Sequence, residues 1–513
     1  MHSSIIEAGE STPLIEEWIE FQSQGRCLVL GEADQVAPLL AHLTTLNLTV
    51  CCSGLDLEAS DILTITDSKP EQLSGWLGAF KAMINGQQHA FDLVLDMSQS
   101  PMIQTQVAPL GYFAPRDDKQ ALAEALQQLP DLIGVFDKPK YFNYKASICA
   151  HSRRGVSGCD LCQQACPAEA IQSAGEQIEV NPSLCQGCGS CTAVCPSGAI
   201  SYAVPTLDSS LERCRNMLKA YAELEDRPAQ LLIHDLLNGE KLVAAVVEQL
   251  GANVVTFSIE EIGALGMPFW LAAIAYGAGS VTVLDAMSHS DHDWQALQQQ
   301  IGFANTLLDA MGYQDMRVHW LQTRKPQALS EHFRQLAATN MIAEKAQFAG
   351  LDDKRRVMSL SLNHLHDQAP QSVEVVDLPR GAPFGEIVVD KQACTLCMSC
   401  VSVCPAGAVL DGVDKPQLNF VEEQCIQCGM CETACPESAI SLTSRYLFDH
   451  NARRSKRVLH EEAVFHCISC HKPFATQKMI DTITERLKDH HMFQGAALER
   501  LKMCEDCRVK AMF

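Results

Sequence analysis

Cys185-Gln-Gly-Cys188-Gly-Ser-Cys191-Thr-Ala-Val-Cys195-Pro196 is the stretch on which the reading of this 513-residue chain turns. Its spacing, C-x2-C-x2-C-x3-C-P, recurs twice. Cys394, Cys397, Cys400 and Cys404 precede Pro405, and Cys425, Cys428, Cys431 and Cys435 precede Pro436. A shortened form, C-x2-C-x3-C-P, stands at Cys159, Cys162 and Cys166 before Pro167. Its missing first member is sought upstream at Cys149. One such run could be chance or a zinc site. Four runs in two pairs are the spacing that wraps [4Fe–4S] clusters, the last cysteine of each run serving the neighbouring run's cluster.

The chemistry explains the spacing. A cubane needs four soft thiolates pointing inward, three from one tight loop and the fourth from elsewhere. Proline after the last cysteine ends the loop, because it fixes φ and removes a donor. Gly187, Gly189 and Gly429 let the backbone come close to the sulfides. The expected sets are Cys149, Cys159, Cys162 with Cys195; Cys185, Cys188, Cys191 with Cys166; Cys394, Cys397, Cys400 with Cys435; and Cys425, Cys428, Cys431 with Cys404. That makes four [4Fe–4S] clusters. Cys149 is expected to act from a longer loop; a three-iron cluster, or Asp160 as the ligand, stays open as the rival.

Net charge is −23, which argues against nucleic acid, whose phosphates want Lys and Arg. The acidic balance suits an electron carrier steering toward a basic partner, and equally suits plain solubility. The composition is 47% hydrophobic and 20% charged, ordinary for a globular protein, and the length suggests several domains. The longest apolar stretch, near Met267–Ala278, is too short to span a bilayer. The start, MHSSIIEAGESTPLIEEW, lacks a basic segment followed by an apolar one, so no signal peptide is expected. The 24 cysteines fall mostly into C-x2-C spacings, so thiolate–metal chemistry in a reducing cytoplasm is expected rather than disulfides.

The fold expected is multidomain α/β and α+β, divided as 1–140, 141–205, 206–380, 381–445 and 446–513. In 1–140, strands at Cys27–Gly31, Leu48–Cys52, Ile62–Thr66 and Phe91–Asp96 alternate with helices at Val36–Leu46 and Glu71–Ile84, which predicts a parallel sheet. Cys27, Cys51 and Cys52 read as core thiols. Gly31-Glu-Ala-Asp-Gln is not a G-x-G-x-x-G turn, so a nucleotide is weakly supported. An amphipathic helix follows at 119–129. Lys138, Lys140 and Lys145 then interleave with Tyr141, Phe142 and Tyr144, and a domain-linking role is expected of them.

In 206–380, strands at Leu231–His234, Val254–Ser258, Ser280–Leu284 and Met316–Trp320 alternate with helices at Glu240–Leu250, Phe269–Tyr276 and Asp293–Met311, after a helix at Leu211–Glu223. A second parallel, doubly wound sheet follows. Leu271-Ala-Ala-Ile-Ala-Tyr-Gly-Ala-Gly279 is read as tight helix–sheet packing, Cys214 as structural, and His289 and His292 as members of a solvated loop. Residues 326–356 look helical and 365–385 look like a linker. Around the second pair of runs, Ile387–Val389 and Ile440–Leu442 are candidate paired strands.

The tail carries Cys467-Ile-Ser-Cys470-His471 and Cys504-Glu-Asp-Cys507 on either side of a stretch, Thr476–Leu501, that reads as helical. Two C-x2-C pairs suit a closed zinc site of four thiolates. A fifth cluster is the rival; c-type haem is rejected, since its attachment needs export. Arg453-Arg-Ser-Lys-Arg457, the one dense basic run, reads as a solvated face or a dock for an acidic partner.

The two cysteine modules, about 120 residues together, resemble bacterial-type dicluster ferredoxins. The whole architecture resembles large cytosolic iron–sulfur proteins associated with formate dehydrogenase. Ile133-Gly-Val-Phe-Asp-Lys-Pro-Lys-Tyr-Phe, Cys149-Ala-His-Ser-Arg-Arg-Gly and His466-Cys-Ile-Ser-Cys-His-Lys-Pro-Phe-Ala-Thr carry that second likeness. It implies an electron relay between redox protein partners, formate dehydrogenase subunits among them, and names no substrate. The alternatives are a subunit of a flavin- or NAD(P)-dependent oxidoreductase, and a scaffold whose clusters are structural. Neither α/β region has a glycine fingerprint, which favours the relay.

Overall fold

The computed structural model describes residues 3–10, 15–53, 63–288, 294–313, 318–337, 342–350, 352–412 and 415–511. His289 and His292 lie outside these residues. The N-terminal region is built on five parallel strands in the order Leu63–Thr66, Asn47–Cys51, Arg26–Leu30, Leu93–Asp96 and Tyr112–Phe113. The central strand aligns Val29 with Val50 on one side and Leu95 on the other. Alternation sends its side chains to opposite faces. Cys27 and Val29 pack with Leu95 against Val36 and with Ala125 and Leu129 of the helix Lys119–Asp131. Leu28, Leu30 and Val94 face the other way, onto Phe80, Ala82 and Phe91.

That second layer corrects the sequence reading. Glu71–Ile84 is not a helix; strands Gln72–Ser74, Phe80–Ile84 and Gln87–Phe91 form an antiparallel sheet. Gly75 and Gly78 sit at positive φ within the stretch and break helical continuity. Asn85 and Gly86, both left-handed at φ 52° and 72°, make the tight hairpin turn that fixes the register. Val36–Leu46 is also less helical than its periodicity suggests: one turn over Ala33–Val36 runs into a 3-10 segment, Ala37–His42, at Pro38.

The central region holds four parallel strands in the order Val254–Ile259, Ala229–Asp235, Ala278–Asp285 and Val318–Gln322. The helix Met267–Ala275 is buried on every side, because it carries no polar side chain except the Trp270 indole N–H. Ala272, Ala273 and Ala275 let the sheet and other helices close on it, as the small-residue run predicts. Helix Lys354–Asp367 packs across it with Val357, Met358, Ser361, Leu362 and Leu365. The stretch 326–356, expected to be helical, is so only at its ends among the described residues: Pro326–Gln335 is one helix, residues 342–350 are not helical, and the next helix begins at Lys354, capped by Asp353. The stretch 365–385 is likewise more than a linker, since Val375–Asp377 pairs with Ile440–Leu447.

The two cysteine modules share one plan. In the first, Phe142–Tyr144 pairs with Ile200–Tyr202, and the hairpin Ile171–Ala174 with Gln177–Val180 lies between. In the second, Gly385–Val389 pairs with Ile440–Leu447, so the expected partners Ile387 and Leu442 are opposite each other, and Val409–Asp411 pairs with Gln417–Phe420. The basic run is not a solvated face throughout. Arg453 is 3% exposed and bonded to Glu423, the Leu447 carbonyl and Asn363, while Arg457 joins Glu386 and Glu422. In the tail, the helix Gln477–Leu487 stops well before the next short turn, Ala496–Glu499.

The Gly86 and Gly78 turns differ in what they require. A Cβ on Gly86 would meet open space, so Gly86→Ala should cost only the left-handed penalty, about 1 kcal/mol. A Cβ on Gly78 would stand 2.0 Å from the Gln22 carbonyl oxygen, so Gly78→Ala should cost more. Urea unfolding followed by tryptophan fluorescence checks the ranking, and equal stability of the two variants would contradict it.

Candidate metal centres

Each complete cysteine run makes the same loop, and the backbone explains how. The residue before the second cysteine and the residue after it are left-handed in all three: Gly187 and Gly189, Leu396 and Met398, Gln427 and Gly429. Successive N–H groups in such a conformation converge on a concavity that suits anionic sulfur. The N–H groups of Gly187, Leu396 and Gln427 accordingly point at Cys185, Cys394 and Cys425, where they oppose the effect of burial, which pushes each thiol up. Ala170 and Ala439 donate backbone bonds of 3.3 Å to Cys166 and Cys435. Leu396 and Met398 show that glycine is not obligatory in the loop, although each non-glycine residue there costs about 1–2 kcal/mol. Gly189 has a further reason: a Cβ would lie 2.3 Å from Gly263 of the central region.

The structure brings the predicted thiols together. Cys149, Cys159, Cys162 and Cys195 line one cavity. The ten-position excursion closes on itself, because Ser152–Arg153 pairs with Val156–Ser157 around left-handed Arg154 and Gly155. The Cys159 N–H then donates to the Ala150 carbonyl at 2.7 Å, which sets Cys149 beside Cys159. Asp160 is exposed, and its carboxylate accepts from Gln164 at 2.8 Å. Cys188 is pushed up to about 12, by burial first and then by neighbouring Cys166 and Cys185. Cys191 is raised well above its ordinary value by burial and by Cys188, Cys185 and Cys166. Burial takes Cys400 to about 12 beside Cys397, Cys394 and Cys435, and Cys428 to about 12 beside Cys404 and Cys425. Such thiols resist ionising together unless cationic metal neutralises them, and four converging soft sulfurs fit a cubane's corners.

The sets also meet across the modules. Cys428 feels Cys159, the Arg153 guanidinium donates to the Cys404 carbonyl at 3.2 Å, and a Cβ on Gly158 would lie 2.7 Å from Met430. The Cys149–Cys159 excursion is therefore the joint between the modules. Cys191 feels Cys162 and Cys431 feels Cys400, so the neighbours run from the Cys185 thiols to the Cys149, Cys425 and Cys394 thiols in turn. Cys397, at the last of these, is exposed.

In the tail, the sulfurs of Cys467, Cys470, Cys504 and Cys507 all lie within 4.8 Å of one another. Cys467 and Cys470 sit in the turn between Val464–His466 and Pro473–Thr476, while Cys504 opens the helix Glu505–Lys510. Burial pushes the Cys467 thiol up, and the N–H groups of Cys470, Cys504 and Ser469 outweigh it, taking it down to about 6. Cys27, Cys51, Cys52 and Cys214 are buried in the cores of the α/β regions.

Three cations beside the thiol loops escaped the sequence reading of sites. The Lys138 ammonium donates to the carbonyls of Ser183 at 2.9 Å and Cys185 at 2.7 Å. Lys354 donates to Thr192 and Ala193 carbonyls at 2.9 and 2.6 Å. Arg355 donates to the carbonyls of Pro383, Glu423 and Cys425 at 2.6, 2.9 and 3.0 Å. The Lys354-Arg355-Arg356 triplet after Asp353 was the available signal, but nothing in it names these partners.

Models of the 4Fe-4S dicluster domain match residues 136–199 and 392–440. Over 86 residues the chain is 34% identical to the ferredoxin-type protein NapH of Haemophilus influenzae, covering 14% of this chain and 29% of that one. It is 45% identical over 42 residues to Ferredoxin 7Fe of Hydrogenibacillus schlegelii, 8% of this chain and 51% of that one. It is 43% identical over 56 residues to Ferredoxin-1 of Caulobacter vibrioides, 10% of this chain and 46% of that one. The chain thus spans between 29% and 51% of the length of these relatives. It carries two 4Fe-4S dicluster domains of the ferredoxin type within a mixed α/β architecture with parallel sheets.

Burial makes a direct check available. In metal-free, reduced protein, a short iodoacetamide pulse should label exposed Cys397 and Cys470 at least about tenfold ahead of Cys191, whose thiolate is suppressed. Peptide mass spectrometry reads the ratio; uniform labelling would contradict the loop geometry.

Proposed function

We propose that the protein is a multi-cluster iron–sulfur electron-transfer protein that relays single electrons between a redox enzyme and an acceptor. The observation that supports this is two dicluster domains joined at the Cys149–Cys159 excursion, where Cys149, Cys159, Cys162 and Cys195 line one cavity. When bound, a [4Fe–4S] group supplies one-electron chemistry at a potential set by charge, hydrogen bonds to sulfur and exposure. The chain's part is to hold the sulfurs, aim N–H groups at them and keep water from most of them. Cys149, Cys159, Cys162 and Cys195 hold one group; Cys166, Cys185, Cys188 and Cys191 the second; Cys404, Cys425, Cys428 and Cys431 the third; Cys394, Cys397, Cys400 and Cys435 the fourth. The exposed Cys397 makes the fourth site the natural port for a partner.

Redox proteins are the partners this reading requires, and a formate dehydrogenase-like enzyme is proposed on the likeness of the segments at 133–142, 149–155 and 466–476. The assigned units are 1–140, 141–205, 206–380, 381–445 and 446–513. Among the described residues no helix is long and apolar enough to cross a membrane, and the thiol-rich chain suits the cytoplasm.

A flavin or nucleotide subunit is the less favoured reading, for a physical reason. At the end of the strand Ala229–Asp235, where a phosphate would take the N–H groups opening the next helix, the Asp235 carboxylate already accepts from Leu237 at 2.8 Å and Gly239 at 3.2 Å. A second anion there would be repelled.

The tail is assigned one zinc ion on Cys467, Cys470, Cys504 and Cys507. Thiolates around tetrahedral zinc stand roughly 3.8 Å apart, from Zn–S bonds of about 2.3 Å. The Cys470–Cys504 sulfur separation of 3.6 Å fits that, whereas a cubane spreads its thiolates around a four-iron box.

Anaerobically prepared protein should hold about sixteen irons, from four cubanes at about four each. Cys149→Ser should change the EPR of one cluster and spare the other three; loss of two clusters, or no change, would overturn the assignment of Cys149. Separately, Cys470→Ser should release zinc and loosen the tail with all cluster signals intact. Metal analysis that finds a full equivalent of zinc retained, or EPR that finds a cluster lost, would show the tail site to be misassigned.

A further inference from the structure

Lys354 and Arg355 are adjacent on the first turn of the helix Lys354–Asp367, yet they enter different cysteine modules. Lys354 reaches the first, where its two bonds go to the carbonyls of Thr192 and Ala193. Those residues lie in the helix Ser190–Val194, between Cys191 of one thiol set and Cys195 of the other. Arg355 reaches the second module, where its bonds go to carbonyls that include that of Cys425, and its guanidinium lies 4.9 Å over the Phe384 ring.

Main-chain carbonyls carry no net charge. They satisfy the ammonium's donors but do not neutralise it, and a charge removed from water is costly without a counter-charge. Glu423 lies beside Arg355 but is itself bound to Arg453, so that group of three keeps a net positive charge. Besides Glu423, the negative charges that act on these cations are those of the thiolates, Cys195 and Cys191 on Lys354 and Cys425 on Arg355. A cubane with four thiolate ligands is anionic, and reduction adds one more negative charge. A fixed cation nearby stabilises the reduced form more than the oxidised form, and low local dielectric strengthens the effect.

We propose that Lys354 and Arg355 are positioning residues that hold up the cluster potentials of the two dicluster domains, Lys354 for the Cys149 and Cys185 sets and Arg355 for the Cys425 set. This rests on the reading of those cysteines as cluster ligands. It gives the central α/β region a part in the redox chemistry, because one helix anchored on its buried core delivers both charges. Arg356, the third member of the basic triplet, is exposed and takes no part.

The test is a potentiometric titration of the full-length, anaerobically loaded protein, followed by EPR, with signals assigned to modules by Cys162→Ser and Cys428→Ser. Lys354→Met should lower the midpoints of the first module and leave the Cys394 set unmoved. Arg355→Met should lower the Cys425 set and spare the Cys185 set. Lys354→Arg, which keeps the charge, should restore values near those of the unaltered protein. Full iron content with unmoved midpoints in Lys354→Met would overturn the inference, as would Lys354→Arg shifting as far as Lys354→Met. Should Lys354→Met fail to load iron, Lys354→Gln, which keeps a donor for the two carbonyls, carries the same comparison. If the unaltered protein takes up no iron in the first place, it is the relay reading that fails.

Discussion

Bringing four thiols to one point inside a protein is electrostatically unfavourable for the ligand-competent thiolate form, and the structure is arranged around that difficulty. Burial and mutual repulsion drive Cys188, Cys400 and Cys428 up to about 12. Three features act in the opposite sense. Left-handed loop residues aim N–H groups at the sulfurs. Three cations, Lys138 at the edge of the first module and Lys354 and Arg355 from the central region, rest on the loop carbonyls. A bound metal group would supply the rest of the neutralising charge.

The α/β regions serve this arrangement as rigid supports. The helix Met267–Ala275 is buried on all sides, so the helix Lys354–Asp367 laid across it has little freedom to shift. That rigidity is what makes a long, flexible lysine side chain useful as a fixed charge. The close approach of Gly189 to Gly263 brings the first module against the same body. At the other side, Lys478, on the first turn of the tail's helix Gln477–Leu487, bonds the carbonyl of Lys391, which sets that helix beside the loop of the Cys394 set. The modules are thus held from both flanks and joined to each other through Arg153, Gly158 and Met430.

Much of this was legible in the chain because the ligand runs are local. Cysteines three positions apart report a loop directly, and the repeated proline closes it. Both parallel sheets were legible from alternating apolar strands and helices, since a buried strand such as Ala278–Asp285 needs a near-continuous apolar run. The error at Glu71–Ile84 came from reading apolar periodicity across Gly75 and Gly78 and passing over Asn85-Gly86, a turn signal that outranks it. Leu396 and Met398 take the same left-handed conformation as the glycines of the other loops, which residue type alone would not suggest.

By itself, the sequence determined the cysteine runs, their division into two modules, and the α/β class of the region before the first module and the region between the two. These depend on spacing and periodicity within short segments, where backbone geometry leaves few choices. Only the tertiary structure decided that Cys149 stands beside Cys159, because a closed hairpin cancels the distance in sequence. It alone decided which way the modules face, that Arg453 turns inward, and that Lys354 reaches carbonyls more than 160 positions away. Those outcomes depend on which surfaces pack together, and a charged side chain finds its partner only after packing has excluded water from both.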